Sequence, residues 1–563
     1  MDQKLPLFHK KDKAFNYRRL LGLSVIGCLA GYSILSNQHV AEEVDLCPAL
    51  DKLVPEFDDK LSDLDYFKSY EYRNMSLDYW RDAIRIPTEN FDDLGDVAED
   101  PRWSIFNDFR EYLIKTFPKT YESSELTTVN TYGLVFDIKG SDSSLKPIML
   151  CGHQDVVPVP KDGISRWTHP PFDGFFDGDF LWGRGSSDCK NNVIAVFEAI
   201  EQLLARGFQP KRSIVIALGF DEETSGHRGA NSIKDFLKEK WGEKSMLMIV
   251  DEGGLGVQDL YGSRLALPST GEKGYVDITI DLITTGGHSS VPPRHTGIGM
   301  MADFIHEMEA EEFPLDLSPK SPFYYQLQCE AKASKTMSSG LKSDISRLTV
   351  SKAAKKRVLK EVSKAADRKA LVSTTQAIDI IFGGLKINAL PERVTLKTNH
   401  RISYDSSFEE VKEKTLKAIQ KVAEKYNLDI EAFGKVLKEN DVSSGLFQIT
   451  PDAPLIPAPL TPTLNNPTWD VLGGTIKHVF EDFAEYRDGN NHQDVTVSPS
   501  CMTGNTDTRY YWDLTDNIYR FTPIRQVERA NAHAIDERVS LDAHIEGVVF
   551  FYQLIRNVDV LKE

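Results

Sequence analysis

Residues 219 to 226 read GFDEETSG and set Asp221, Glu222 and Glu223 side by side where the apolar run SIVIALGF ends. Adjacent carboxylates repel, so the arrangement is costly unless water screens them or a cation neutralises them. A plain acidic loop is one reading. A metal centre is the other, and it requires ligands delivered to the same place from elsewhere in the chain. LCGHQDVVPV puts His153 and Asp155 two apart after a strand-like run, WGRGSSDCKNN puts Asp188 just before a helix, and IVDEGG puts Asp251 at the end of a further apolar run. Residues two apart on an extended strand point the same way, so Asp155 could hydrogen-bond the far nitrogen of His153 and fix its tautomer. One histidine among several carboxylates suits Zn²⁺ or a similar borderline ion, and a carboxylate can bridge two such ions. Singly each residue reads as structural; together they define a candidate site.

Strands and helices must alternate to bring these groups together. GLVFDIKG, PIMLCGH, SIVIALGF and SMLMIVDEGG read as strands, and SIKDFLKEKWG as a helix. In NNVIAVFEAIEQLLARG, Val193, Val196, Phe197, Ile200, Leu203 and Leu204 recur on one helical face, and Gly207 stops it. The expected fold is α/β, with a mixed, mainly parallel sheet covered by helices on both faces. In such sheets the functional crevice lies at the carboxyl ends of the strands, which is where the acids and His153 fall.

After Gly274 the texture changes. YVDITIDLI and QAIDIIFGGLKINAL are strand-like, ERVTLKTNHRIS is a hairpin partner, and SFEEVKEKTLKAIQKVAEKYN is an amphipathic helix with Phe408, Val411, Ile419, Val422 and Tyr426 inward. This predicts an inserted two-layer α+β domain over 274–437, a lid on a catalytic domain built from 76–273 and 438–563. Within it, the Lys- and Ser-rich stretch 315–372 reads as helical with a solvated charged face.

The chain has 563 residues with 66 basic against 84 acidic, a formal net charge of -18, which excludes nucleic acid as an expected partner. Residues 20–36, LLGLSVIGCLAGYSILS, carry no charge and meet the short limit of a membrane-spanning helix. Lys4, Lys10, Lys11, Lys13, Arg18 and Arg19 precede it and acids follow, so the positive-inside rule makes 1–19 a cytosolic tail, 20–36 a signal anchor and 37–75 a lumenal stem. That is type II topology, and it places the sequon at Asn74 in a glycosylating compartment. Six scattered cysteines give no zinc-knuckle spacing; one disulfide could form in an oxidising compartment, and its partners stay open.

Taken in order, GHQDVVPV, WGRGSSDCK, GFDEETSG, GGHSSVPP, NALPE and GNTDTRYY resemble the motif series of the M20 zinc peptidases. The likeness runs from about residue 76 to the C-terminus. It implies two zinc ions, one held by His153 and Asp251, the other by Glu223 and His533, with Asp188 bridging. It implies Asp155 as the orienting carboxylate and Glu222 as general base. From the insert it implies His288 as the group that stabilises the oxyanion, in its own site or a second copy's, Asn388 near the substrate, and Arg401 gripping a substrate carboxylate. Gly504 would line the pocket with its backbone.

These implications describe a carboxypeptidase acting on short peptides with a free C-terminal carboxylate, Gly-X among them. Resemblance to fungal members implies the vacuole, with the membrane reached through the N-terminal helix and later clipping of that anchor; homo-oligomerisation stays open. An amidase acting on N-acyl amino acids is the alternative, since Arg401 would hold that carboxylate equally well. A non-catalytic binding protein of the same fold would show a broken ligand set, and here every ligand position and Glu222 are present. GxSxG is absent, which removes a serine-hydrolase reading.

Overall fold

A computed structural model describes residues 45–489 and 492–562. The expected tail 1–19, the anchor 20–36 and the stem up to residue 44 lie outside the described residues. Among the described residues no helix is long and apolar enough to cross a membrane.

An eight-stranded sheet runs Ser124–Val129, Gly133–Ile138, Ile214–Gly219, Ile148–His153, Met248–Asp251, Ile518–Arg520, Ser269–Glu272, Ser500–Met502. It is mixed: Ile214–Gly219, Ile148–His153, Met248–Asp251 and Ile518–Arg520 are mutually parallel at its centre, and antiparallel pairings join Ser124–Val129, Gly133–Ile138 and Ser269–Glu272 to it. Period-two alternation splits the central strands between two cores. Ile148, Leu150, Ile214, Ile216 and Leu218 face helices Lys190–Ala205 and Leu541–Asp559, while Met149, Cys151, Val215, Ala217 and Ile249 face Ala230–Trp241. Burial on both faces is why these strands read as continuous apolar runs. The register sets His153 opposite Gly219 and Asp251 opposite Arg520, and Leu150 opposite Val250, so the four strands end within about two residues of one another and unload their next residues toward one end of the sheet.

A six-stranded sheet runs Thr375–Gly383, Arg393–Ile402, Gly274–Ile283, Leu446–Pro451, Asp429–Ala432, Lys435–Lys438. Val276, Ile278, Ile280 and Leu282 alternate inward against helices Gly297–Glu309 and Phe408–Tyr426, burying Val411, Ile419 and Val422 of the latter. That helix starts where Ser407 accepts the Glu410 amide and stops at Asn427, which takes the left-handed conformation with φ 54°. The sheet extends past the expected boundary at 437, because Leu446–Pro451 pairs with both Gly274–Ile283 and Asp429–Ala432. The polar text between 438 and 445 is a connection within this sheet rather than the end of the insert.

The 315–372 stretch is helical, but its first helix is not a solvated face. Pro322–Ala333 buries Phe323, Tyr324, Leu327 and Cys329 and packs on Ser269–Glu272 and Ser500–Met502 of the larger sheet. Cys329 is bonded to Cys47, and Cys151, Cys189 and Cys501 are free and buried. The segment after Cys47 lies on helix Pro467–Lys477, where a Cβ on Gly473 would meet Leu50 Cδ1 at 2.2 Å and one on Gly474 would meet Leu53 Cβ at 2.7 Å. Lys52 pairs there with Glu481 and Asp482. Asn74 is exposed on helix Tyr70–Ile84.

A cross-link over 282 residues restricts the unfolded chain strongly. Replacing Cys47 and Cys329 by serine is expected to lower unfolding free energy by about 2–4 kcal/mol, read by denaturant titration, with the reduced native protein moving to the same value.

Candidate metal centre

His153 is buried at the end of its strand. Its Nδ1 lies 2.9 Å from the Asp155 carbonyl oxygen and 3.2 Å from Asp155 Oδ1, which assigns the Nδ1 proton and turns Nε2 to Asp188 Oδ1 at 3.1 Å. On the other side of that carboxylate, Asp188 Oδ2 lies 3.1 Å from His533 Nε2, which also stands 3.2 Å from Glu223 Oε1. Glu222 Oε2 is 4.0 Å from His153 Nε2. Each Nε2 thus faces carboxylate oxygen, a contact that needs a proton or a cation between the two atoms. The ligand atoms of Asp188, Glu223 and His533 fall within 4.8 Å of one another, as do those of His153, Glu222 and Glu223.

Backbone anchoring explains how three neighbouring acids coexist. Asp221 is turned away from the cluster and accepts the amides of Arg228 and Gly229, each at 2.7 Å. Glu222 and Glu223 form a single turn whose amides donate to Asp155, at 3.2 and 3.0 Å, so the carboxylate that orients His153 also fixes the acidic turn. Asn90 Nδ2 adds a third donor to Asp155 at 2.8 Å. Asp507 seats against the glycines that bracket the turn: a Cβ on Gly219 would lie 2.1 Å from its Oδ2, and one on Gly226 would lie 2.3 Å from its Oδ1.

Two further loops are held by groups that sequence reasoning missed, one buried and one exposed. Glu537 accepts the amides of Gly185, Ser187 and Asp188 at 3.1, 2.7 and 3.1 Å and pairs with Arg184 at 2.6 Å, which fixes the approach to Asp188. His533 sits on a turn in which Asn531, His533 and Asp536 all have positive φ, a strained backbone held by Asn531 donating to the carbonyls of Ile535 and Asp536. An acid four residues after a ligand histidine was the one available signal for Glu537; Asp507 had none beyond its motif.

Asp251 ends its strand beside His153, but it belongs to neither group within 4.8 Å; its Oδ1 accepts the Glu252 amide at 2.9 Å. Its Oδ2 is buried with no hydrogen-bond partner. Glu252, unremarked in the sequence, is placed electrostatically against Asp188, Asp251, His153 and Glu222. Cys189 also touches the cluster, but its sulfur accepts the His153 amide at 3.3 Å and burial pushes its thiol up, so it stays protonated.

Electrostatics follow the crowding. Burial pushes Glu222 and Glu252 well above the usual carboxyl range and Asp251 up to about 6. Burial would raise Asp188 too, but hydrogen bonds to His153 and His533 hold it far below the ordinary value. Those to Asp188 and Glu223 raise His533 to about 11. Burial opposes protonation of His153, yet its hydrogen bonds to Asp155 and Asp188 carry it well above the ordinary histidine value. Imidazole nitrogens and carboxylate oxygens facing one another, with an orphaned buried oxygen on Asp251, fit divalent cations of the zinc type.

The model of Peptidase family M20/M25/M40 matches residues 149–557. The chain belongs to this family. Among its M20 relatives, Carboxypeptidase S of Saccharomyces cerevisiae is 40% identical over 91% of this chain and 89% of its own length. The mouse N-fatty-acyl-amino acid synthase/hydrolase PM20D1 is 31% identical over 88% of this chain and 90% of its own. The crystal structure of human carnosine dipeptidase 1, 14% identical, shares the M20 fold with a TM-score of 0.61 over 90% of this chain and all of that one (100%).

The remaining expected M20 site residues lie apart from the cluster. His288 and Asn388 are exposed on the ribbon formed by Gly287–His288 and Ala389–Leu390, where the Ser289 amide donates to the Asn388 carbonyl. His288 Nδ1 accepts from the Ser290 amide and lies 2.7 Å from its hydroxyl, so Nε2 carries the proton and faces outward. Arg401 donates from Nη1 to Asn505 Oδ1 at 2.9 Å, beside Gly504.

A histidine whose pKa is raised on folding adds stability that is complete below its unfolded value, near 6.5, and is lost as pH rises toward the folded one. The raised carboxyls of Glu222, Glu252 and Asp251 act in the same direction, whereas Asp188, held low, loses its contribution only on acidification. Chelated protein should therefore lose thermal stability steadily from about pH 6.5 upward, and protein reloaded with zinc should not. Zinc uptake at pH 7 should release protons, read by calorimetry in buffers of different ionisation enthalpy; uptake without release would show that the cluster is not the ligand set.

Proposed function

We propose that this chain is a two-zinc carboxypeptidase that removes the C-terminal residue from short peptides, Gly-X among them, in the vacuolar lumen. The observation that supports it most is the Asp188 carboxylate faced by imidazoles on both oxygens, with Glu222 beside it. His153 and Asp251 would hold one ion, Glu223 and His533 the other, with Asp188 shared. When bound, the pair would polarise the scissile carbonyl and bring the pKa of a water toward neutrality.

Glu222 takes the proton of the attacking water and returns it to the departing amine. Its placement in a buried pocket, where the carboxyl is pushed upward, favours keeping that proton until the amine leaves. Asp155 holds the Nδ1 proton of His153 and so keeps its Nε2 directed at the reacting centre. Arg401 has no carboxylate partner among the described residues, and its planar fork matches a free C-terminal carboxylate. His288 presents Nε2–H as a donor for the developing oxyanion, with Asn388 and the Gly504 backbone lining the substrate. The Cys47–Cys329 bond supports an oxidising lumen, in keeping with an anchor at 20–36.

The likeness to a fatty-acyl-amino acid hydrolase favours one second reading, an amidase for N-acyl amino acids, because it leaves every catalytic role unchanged. Comparing kcat/KM on benzyloxycarbonyl-Gly-Leu and on a fatty-acyl leucine separates them; faster turnover of the peptide is expected. Glu222→Gln should reduce kcat by about 10²–10⁴ with both metals retained. Undiminished turnover in that variant would remove Glu222 from the mechanism.

A further inference from the structure

We infer that Arg509 is a second carboxylate-binding residue, which together with Arg401 clamps the C-terminal carboxylate of the substrate from the opposite structural module. The inference rests on the carboxylate role of Arg401 proposed above and holds for a peptide or an N-acyl amino acid alike.

Both guanidinium groups stand on one tyrosine ring. Arg401, on the strand Arg393–Ile402 of the smaller sheet, lies directly across from Tyr275 in register, and its guanidinium carbon is 4.6 Å from the Tyr275 ring centroid. Arg509 belongs to the short turn Asp507–Tyr510, and its guanidinium carbon is 5.9 Å from the same centroid. The Tyr275 hydroxyl donates to Asp277, which fixes the ring that the two cations share. Asn505, which binds Arg401, lies on the same GNTDTRYY segment as Arg509.

Neither arginine has a carboxylate partner among the described residues. A protein carrying a net charge of -18 does not lack acids to offer. Two like charges on one half-buried ring repel, and Arg401, lowered chiefly by burial, senses Tyr275 beside it, Arg509 as a neighbouring cation, and Asp277 and then Glu222 as attracting anions that stand outside salt-bridge range. His227 is lowered by burial and then by Arg509 and Arg228, so the positive potential extends along this rim. An anion lodged between Arg401 and Arg509 would turn that repulsion into two charge-assisted contacts.

The turn bearing Arg509 is tied to the catalytic acids. Tyr510 donates its hydroxyl to the Ser225 carbonyl at 2.8 Å, one residue beyond the turn of Glu222 and Glu223. A carboxylate held by both arginines is therefore measured against the base from the larger sheet and gripped by the insert from the other side. Such an arrangement selects a free acid over an amide at the substrate's terminus, whatever the side chain there.

The test compares Arg509→Gln, Arg401→Gln and the double variant on benzyloxycarbonyl-Gly-Leu, its C-terminal amide and benzyloxycarbonyl-Gly-Glu, with zinc content and circular dichroism checked for each. Arg509→Gln should raise KM for both free acids about 10–100-fold with kcat changed far less, and leave the amide rate unmoved. With Arg401→Gln the combined loss should fall short of the product of the single losses, because the two share one ligand. Should Arg509→Gln fail to fold, Arg509→Lys, which keeps the charge without the fork, should raise KM about 5–10-fold. An unchanged KM in the folded Arg509 variant, or a loss confined to the glutamate-terminated substrate, overturns the inference. If only Arg401→Gln loses the preference for acid over amide, the carboxypeptidase reading stands without Arg509; if neither does, both fall.

Discussion

Crowded negative charge at the carboxyl ends of four parallel strands is the constraint on which this molecule turns. Asp188, Glu222, Glu223, Asp251 and Glu252 gather around His153 and His533, with Arg520 acting on Asp251 from the next strand. Without protons or cations such a set cannot stay fully ionised in a crevice that buries His153 and Asp251 and opens to solvent chiefly at His533 and part of Asp188, and the upward displacement of Glu222, Glu252 and Asp251 expresses that. Bound cations and a set of shared protons are competing solutions to one electrostatic problem. The fold tolerates the strain because its central strands are buried on both faces and cannot relax.

A second set of acids makes the first possible. Asp155, Asp221 and Glu537 are buried and do not crowd the crevice, since each accepts backbone amides: of Glu222 and Glu223, of Arg228 and Gly229, and of Gly185, Ser187 and Asp188. Carboxylates bound to amides are satisfied locally and stiffen the loops that carry the reactive ones. The glycines at 219 and 226 belong to the same scheme, leaving room where the Asp507 side chain closes the acidic turn.

Much of this was legible because strand ends and period-two apolar runs are local signals. His153, Asp188 and Glu223 could be listed from strand ends and motifs, His533 only through the family resemblance, and the parallel centre of the sheet followed from alternation of strand and helix text. What escaped depends on contacts between distant residues. Glu537 reaches three amides more than three hundred residues away in sequence, the longest separation being 352, and Arg509 meets Arg401 only because two sheets share the Tyr275 ring. Residues 438–445 looked like a domain border because polar turns within a sheet have the same composition as linkers. Asp251 and Glu252 show the finest limit: adjacent acids on a strand end are indistinguishable by type, and only the direction of each side chain separates them.

The bond between Cys47 and Cys329 carries a consequence for biogenesis. At a synthesis rate of about 5–20 residues per second, the partner of Cys47 emerges roughly 15–60 s after it, since 282 positions separate them. Cys151 and Cys189 are made during that wait and finish as buried thiols. Either could capture Cys47 prematurely wherever the chain folds under oxidising conditions, so correct maturation there calls for rapid sequestration of those two thiols in the sheet or for a thiol-exchange catalyst that undoes the wrong linkage.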